Sequence, residues 1–584
     1  MIYKTVPVCF FFLFLKLSGQ AQSPVSGLKS ISFTDIQVSG ELATRALKNY
    51  DRLESSIYTP AKVFPVLNLN VPVQWPGDIE GRIILGLVLQ AQATHREPKY
   101  LSEIIRLLPE KVNKDGYFGP VQKDTINEQQ LSGNGWFLRG LCEYYKWKKD
   151  PKIKGYIAKV IRNLALPTKG QHRIYPIDPT IRNKTVGAAS GTTQATVGHW
   201  KLSSDIGCNF IFMDGVVQAY EIVPSEELKS LIDEMISRFL EMDLKAMNAQ
   251  THASLTGLRA LLRYYTMTKS SRLLDEVRKR YGLYRSHAMT ANFENFNWFG
   301  RPEWTEPCAI VDSYMLAVQL WQITAEPLYL EDAHHIYFNA IANTQRANGG
   351  FGLSNCTRPN FNSLRVDIDE ASWCCTMRGA EGLASAVKYN YFTGTDQLAV
   401  PFYCNSKADL KLKDGIVTIQ QTSAYPFRGV VNFSILKSSL KFSVLIKLIA
   451  PSWTNNHKLK INDVEIPVLI KDGFIVFRRK MIKGDRIELS FLQDLSPVKM
   501  INDEYNLPDF YTINYGPLVL GYNNKDKQEQ SFKAIPEFKR ISDMDWLVEG
   551  TEKHLSPVYH LLDPQVSKES GHSKQVLFRI DNQR

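Results

Sequence analysis

From about residue 40 to residue 395, apolar positions recur at i, i+3, i+4 and i+7, the period of a helix with a buried face. The stretches come in pairs. Ile83 to Leu89 is followed, after a short polar turn, by Leu101, Ile104, Ile105 and Leu108. Leu138 to Trp147 precedes Ile153 to Leu164, and Val216 to Ile222 precedes Leu228 to Leu240. Leu258 to Met267 pairs with Leu273 to Tyr281, and Met315 to Ile323 with Tyr329 to Ile341; Gly382 to Phe392 reads as the start of a further pair. Gly86, Gly140, Gly215 and Ala219 suit close helix contacts. The uneven spacing argues against a short-period solenoid. Five or six helical hairpins predict an (α/α) toroid, with Gly116–Gly133, Thr168–Cys208 and Arg285–Pro307 as long loops shaping a central cleft.

After residue 396 the pattern shifts to short strands. Leu440 to Leu448, Phe474 to Arg478 and Ile487 to Phe491 are separated by turn signals at Asn462-Asp463, Asp472-Gly473 and Lys483-Gly484-Asp485. This predicts an antiparallel β-sandwich. The last fifty residues carry no sustained period and are expected only to complete a sheet. The fold class is therefore multidomain α+β, with a helical catalytic domain over 22–395 and a β-sandwich region over 396–584. The length of 584 residues agrees, since single cores stop growing near about 250–300 residues.

Composition narrows the function. Hydrophobic residues at 44% and charged residues at 22% exclude a disordered chain, a collagen-like fibre and a polytopic membrane protein. The net charge of +11 is spread without a basic run of five, so we read a solvated basic surface and no nucleic-acid partner. Met1 to Ala21 reads as a secretory signal: Lys4, then the apolar Val6 to Leu15, then Gly19-Gln20-Ala21 as a cleavage site. The expected location is periplasmic or secreted, with no membrane insertion after cleavage. Removing Cys9 leaves seven cysteines, which cannot all pair within one chain.

Chemistry concentrates in two places. Cys374-Cys375 are adjacent, and Glu306-Pro307-Cys308 lies upstream. Three thiols and a carboxylate make a reasonable tetrahedral zinc set, to be assembled by the fold. On residue chemistry alone a structural zinc, inert buried thiols and a catalytic thiolate all remain open. The second place is Ala291 to Trp304, rich in aromatic, asparagine and carboxylate residues. Trp298 and Trp304 could stack on sugar C–H faces, and Glu294 or Glu303 could act as a general acid/base if desolvated. His252, before a helix, and His199, beside Trp200 and Asp205 in a long loop, could bond a ligand. His334-His335 reads as packing or surface.

These residues resemble glycoside hydrolase family 127, the β-L-arabinofuranosidase family. The likeness rests on Glu306-Pro307-Cys308 and Trp373-Cys374-Cys375, with support from Ile449-Ala450-Pro451-Ser452-Trp453, Lys483 to Leu489 and Tyr515-Gly516-Pro517-Leu518-Val519. The resemblance implies an (α/α)6 barrel followed by β-sandwich domains. It implies zinc on Glu306, Cys308, Cys374 and Cys375, Cys374 as nucleophile, Glu294 as acid/base with Glu303 as the fallback, and His252 at the sugar. The implied activity is retaining removal of a terminal β-L-arabinofuranose-like sugar from plant oligosaccharides or polysaccharides. The alternatives are another rare pectic sugar, a carbohydrate-binding protein with a structural zinc, or a polysaccharide lyase. Thr376-Met377-Arg378 stand where better-known members carry Pro and Asn, which leaves the sugar open.

Overall fold

The computed structural model describes residues 27–64, 75–122, 124–182, 191–500, 509–524 and 528–580. The expected signal segment lies outside them. Six helices form an inner ring: Asp78–Thr94, Glu128–Lys148, Asn209–Tyr220, Thr251–Thr268, Pro307–Thr324 and Cys375–Lys388. Each packs on the next, and the last returns to the first. The outer helices Leu101–Lys111, Pro151–Val160, Glu226–Glu241, Ser271–His287 and Pro327–Ile336 each pack on the inner helix that precedes them. The sixth outer helix is Gly40–Leu53, which lies on both Cys375–Lys388 and Asp78–Thr94. The fold is an (α/α)6 toroid with antiparallel-rich β domains.

The two layers follow from the sequence. The Asp78–Thr94 helix buries every residue from Gly81 to Ala91, because an inner helix meets protein on all sides. Leu101–Lys111 buries only Leu101, Ile104 and Leu108, a single stripe. Glycine sets the ring's tightness. A Cβ on Gly81 would sit 2.2 Å from the backbone of Trp136 and Phe137, and one on Gly215 would sit 2.5 Å from the Gly135 carbonyl oxygen.

Two expectations need correcting. The stretch Gly382 to Phe392 opens no new hairpin. It ends the inner helix Cys375–Lys388, whose outer partner comes from the N-terminal helix Gly40–Leu53. Nor is Gly116–Gly133 all loop: Asn127 caps a helix beginning at Glu128, accepting from the backbone N–H groups of Gln129 and Gln130. Within Thr168–Cys208, strand Thr193–Val197 pairs with Trp200–Ser203.

Beyond the ring, a seven-stranded sheet runs 464–466, 454–461, 486–493, 429–438, 415–423, 406–412 and 36–38. Strand Ser406–Leu412 alternates buried and exposed residues along its whole length, the pleat of a half-buried strand. A six-stranded sheet carries Val444–Ile449 between Phe474–Arg479 and the parallel strand Gln397–Val400. The final residues supply His554–Pro557, Ser573–Gln575 and Phe578–Ile580 to an eleven-stranded sheet.

β structure is not confined to the second half. Lys29–Ser30 pairs with Phe392–Thr393, Ile36–Val38 pairs with the start of Ser406–Leu412, and Ser363–Ile368 pairs with Ser573–Gln575. These three pairings stitch the ring to the sheets. His334 does the same with side chains, bonding the Tyr425 hydroxyl at 2.9 Å and the Pro401 carbonyl at 2.9 Å.

The inner contact gives a test. Gly81→Ala drives a methyl into backbone and is expected to lower the stability by more than about 3 kcal/mol or abolish folding. Gly155→Ala, on an outer helix with nothing within 4 Å of the new methyl, is expected to gain about 1 kcal/mol. Urea unfolding of the two variants beside wild type measures both.

Candidate functional site

The axis of the ring is filled by charge. Arg259 and Arg378 each reach Asp312 Oδ1 at 2.6 Å. Arg139 pairs with Asp214 at 3.0 Å and with Glu381 at 2.5 Å, and Arg259 reaches Glu381 at 3.0 Å. These groups come from five of the six inner helices and are almost wholly buried. Burial alone would raise the Asp312 carboxyl, but Arg378 and Arg259 outweigh it and hold the group well below the usual carboxylate range. Trp136 lies among the cations, with the guanidinium carbons of Arg82, Arg378 and Arg139 at 4.2, 4.6 and 4.9 Å from its ring.

His252 stacks on Trp136 with ring centroids 5.7 Å apart. Its Nε2 lies 3.5 Å from Asp312 and its Nδ1 lies 3.3 Å from Glu306 Oε1. The histidine thus connects the ionic axis to the proposed ligand carboxylate. Gln250 donates to the other Glu306 oxygen at 3.4 Å, and the Glu306 backbone N–H donates to Asn295 Oδ1 at 3.2 Å.

Two adjacent inner helices begin at the cluster. Glu306 is the N-cap of Pro307–Thr324, with Cys308 in the first turn. Cys374 is the N-cap of Cys375–Lys388. Helix N-termini carry partial positive charge and favour carboxylate and thiolate groups. Ligand atoms of Glu306, Cys308, Cys374 and Cys375 all lie within 4.8 Å of one another. Cys375 Sγ lies 3.3 Å from Cys374 Sγ and 3.6 Å from Cys308 Sγ. Hydrogen bonds from the Cys308 and Cys375 thiols lower the Cys374 pKa, and Arg82 adds to the effect. Burial pushes the Cys308 thiol up to about 11 and Cys375 well above its ordinary value.

The cluster opens into a cavity of about 610 Å³. Its walls include Trp75, Trp304 and Trp373, with Cys374, Cys375, Glu306 and His252 also exposed to it. Trp373 is 54% exposed, an unusual setting for an indole, directly beside Cys374.

The remaining expected residues are dispersed. Trp298 is buried edge-on behind Trp304, ring centroids 5.4 Å apart, and does not line the cavity. His199 lines a different pocket beside Gln171 and Asn127, its Nδ1 at 3.0 Å from the Asp124 carbonyl. His199 is therefore not among the residues lining the cavity at the cysteine cluster. Glu303 lies at the surface, paired with Arg301. Glu294 is wholly buried one layer behind the wall. Its Oε1 accepts from Asn343 at 2.7 Å, Asn292 at 3.0 Å and Ser354 at 3.4 Å, and burial raises its pKa.

The cavity residues that escaped the sequence reading include Trp75, Glu80, Arg82 and Ser132. Burial pushes the Glu80 carboxyl up to about 7. Arg82 donates to Asp78 at 2.6 Å and to Cys308 Sγ at 3.4 Å. One signal was available, an Asp78–Arg82 pair at i, i+4 opening an otherwise apolar helix.

The axis makes a prediction. Asp312→Ala leaves the buried Arg259 and Arg378 to share Glu381 with Arg139 and is expected to cost about 3–5 kcal/mol in denaturant unfolding. Because the folded pKa lies below the unfolded one, this contribution is complete at neutral pH. The gap between wild type and Asp312→Asn should shrink only as pH falls below about 4.

Comparison with known proteins adds the following. Residues 397–492 match the family model described as the β-L-arabinofuranosidase, GH127 middle domain. A solved GH127 β-arabinofuranosidase superposes with a TM-score of 0.69 at 14% identity, over 95% of this chain and 98% of that one. A GH127 β-L-arabinofuranosidase from Geobacillus stearothermophilus T6 gives 0.68 at 13% identity, over 94% of this chain and 100% of that one. A further solved glycoside hydrolase gives 0.68 at 13% identity, over 96% and 98%. No curated protein matches significantly. Residues 397–492 thus resemble a GH127 middle domain, and the chain shares the fold of these solved structures over nearly its whole length.

Proposed function

We propose that the protein is an exported, zinc-dependent retaining exo-glycosidase of the GH127 kind. It removes a terminal β-L-arabinofuranose-like sugar from plant glycans. The observation that carries this reading is the meeting of Glu306, Cys308, Cys374 and Cys375 at a cavity walled by tryptophans.

The donor set fits zinc. A tetrahedral site with Zn–S of about 2.3 Å separates its sulfurs by roughly 3.8 Å. The Cys308–Cys375 spacing of 3.6 Å and the Cys374–Cys375 spacing of 3.3 Å are close to that before any ion is added. Bound zinc would keep the thiols ionised at neutral pH, against the burial that now pushes Cys308 and Cys375 up.

The chain's own groups then divide the work. The Cys374 sulfur attacks the anomeric carbon, and the bond to the leaving oxygen breaks. Glu294, whose pKa is raised by burial, is the group assigned to give its proton to that oxygen. Water then attacks the same carbon, Glu294 takes the water's proton, and the sulfur leaves. Two displacements restore the starting configuration, the retaining logic usually run on two carboxylates. Trp304 and Trp373 supply faces for the sugar.

A carbohydrate-binding protein with a structural zinc is the second reading. It draws on the placement of Glu294 behind the wall rather than in it. Hydrolysis of an aryl β-L-arabinofuranoside, assayed with zinc and reductant, separates the two. Cys374→Ser and Glu294→Gln should each lower kcat at least about 10³-fold, while Glu303→Gln stays within about threefold. Cys308→Ser should also lower the zinc content measured by elemental analysis. A wild type that cleaves no furanoside and no plant oligosaccharide overturns the enzyme reading. An ultraviolet-absorbing unsaturated product would make it a lyase.

A further inference from the structure

A second cavity, of about 190 Å³, lies where the ring meets the sheets and shares no described lining residue with the one at the cysteine cluster. Its walls are aromatic. Phe402 and Tyr337 each stand 6.0 Å from Tyr314, ring centre to ring centre, and Phe338 stands 5.7 Å from both Tyr425 and Tyr559. Tyr314 belongs to the inner helix Pro307–Thr324 and Ala386 to the last turn of Cys375–Lys388. The two helices that begin at the cysteines therefore wall this cavity further along. Ser39, Ala424 and Leu561 are exposed and mark its mouth, while Tyr314, Ala386 and Asn390 are buried.

Size limits the occupant to one ring. An apolar cavity of about 150 Å³ takes benzene, and this one adds room for a small substituent. Aromatic walls favour an aromatic guest through edge-to-face and offset contacts. The polar groups of the wall are largely engaged. Glu41 pairs with Arg45 and accepts from the Tyr337 hydroxyl at 3.4 Å. The Tyr425 hydroxyl meets His334 at 2.9 Å, and the Tyr403 hydroxyl donates to the Ile449 carbonyl at 2.5 Å. Because Glu41 and Arg45 neutralise each other, a charged ring would give up its hydration for no opposite charge. A sugar of this size would bring several hydroxyls to a wall already bonded elsewhere.

A second observation points to a ligand with a donor. Asn390 lines the cavity and is 1% exposed, and its Oδ1 has no hydrogen-bond partner among the described residues. Its Nδ2 donates to the Ala386 carbonyl at 2.8 Å and the Val387 carbonyl at 3.2 Å, which fixes the amide and keeps the oxygen as acceptor. A buried acceptor without a donor is costly, and a ligand O–H removes that cost.

We propose that this cavity is a binding site for a single uncharged aromatic ring bearing a hydroxyl, a phenol, whose O–H donates to Asn390 Oδ1. The site is separate from the proposed glycosidase centre and does not depend on that reading.

Calorimetric titration of the full-length wild type with phenol and with toluene tests it. Phenol should bind once per chain, about three- to tenfold tighter than toluene, the share of one hydrogen bond. Saturating benzoate or L-arabinose should leave the phenol affinity unchanged. A crystal soaked in 4-bromophenol locates the ring by the anomalous scattering of bromine, and the expected position is against Tyr314 and Asn390. Asn390→Leu should bring phenol down to the affinity of toluene, and Ala386→Leu, which fills the cavity, should abolish binding of both. If either variant fails to fold, the wild-type titration and soak decide alone. Phenol binding no tighter than toluene, displacement by benzoate or arabinose, bromine found only elsewhere, or no saturable phenol binding each overturns the proposal. None of these outcomes depends on whether the protein hydrolyses a furanoside.

Discussion

Burying arginine in the middle of a helical ring is the constraint on which the rest of this structure depends. A guanidinium withdrawn from water is tolerated only with partners of fixed geometry. Arg139, Arg259 and Arg378 share Asp214, Asp312 and Glu381, and these pairs tie five of the six inner helices to one another. The glycines that bring the helices together make the same demand sterically. Charge and packing therefore specify one arrangement, and Trp136 fills the space that the cations leave around its ring.

The site is an extension of that axis. Asp312 holds one edge of His252, and the other edge meets Glu306. Arg82 ties the face of Trp136 to the sulfur of Cys308. The cluster is thus positioned by groups that are themselves anchored in the ionic axis. Such support from behind is what fixes the orientation of metal ligands in general. The segment Thr376-Met377-Arg378 follows the cysteine pair. Arg378, within that segment, reaches back into the axis rather than towards the cavity.

Much of the architecture was legible because its signals are local. The helical period within each hairpin, and the alternation in Ser406–Leu412, need only a short window of sequence. The cysteine–glutamate cluster was legible for another reason, the rarity of adjacent cysteines. The ionic axis was not legible, since Arg139 meets Glu381 across 242 positions and nothing local marks the pair. That Trp298 packs behind Trp304 and that His199 lines a separate pocket was not legible for a similar reason. Composition identifies an aromatic, polar segment, but the turn and strand geometry that aims each side chain is set by neighbours distant in sequence. Ser132 and Glu80 escaped because a serine and a glutamate near helix N-termini are ordinary until a cavity is seen beside them.

The ring closes with its own beginning, and this orders events in time. The last inner helix, Cys375–Lys388, has as its outer partner the Gly40–Leu53 helix, and Lys29–Ser30 waits for Phe392–Thr393. A ribosome making this chain releases the first of these elements hundreds of residues before the second. Cys308 emerges well before Cys374 and Cys375, so the cluster is among the last features assembled. Through that interval the N-terminal helix and strands lack their native cover and depend on not finding another. Non-local closure of this kind slows folding, and here it ties the gathering of the clustered thiols to completion of the toroid that shelters them.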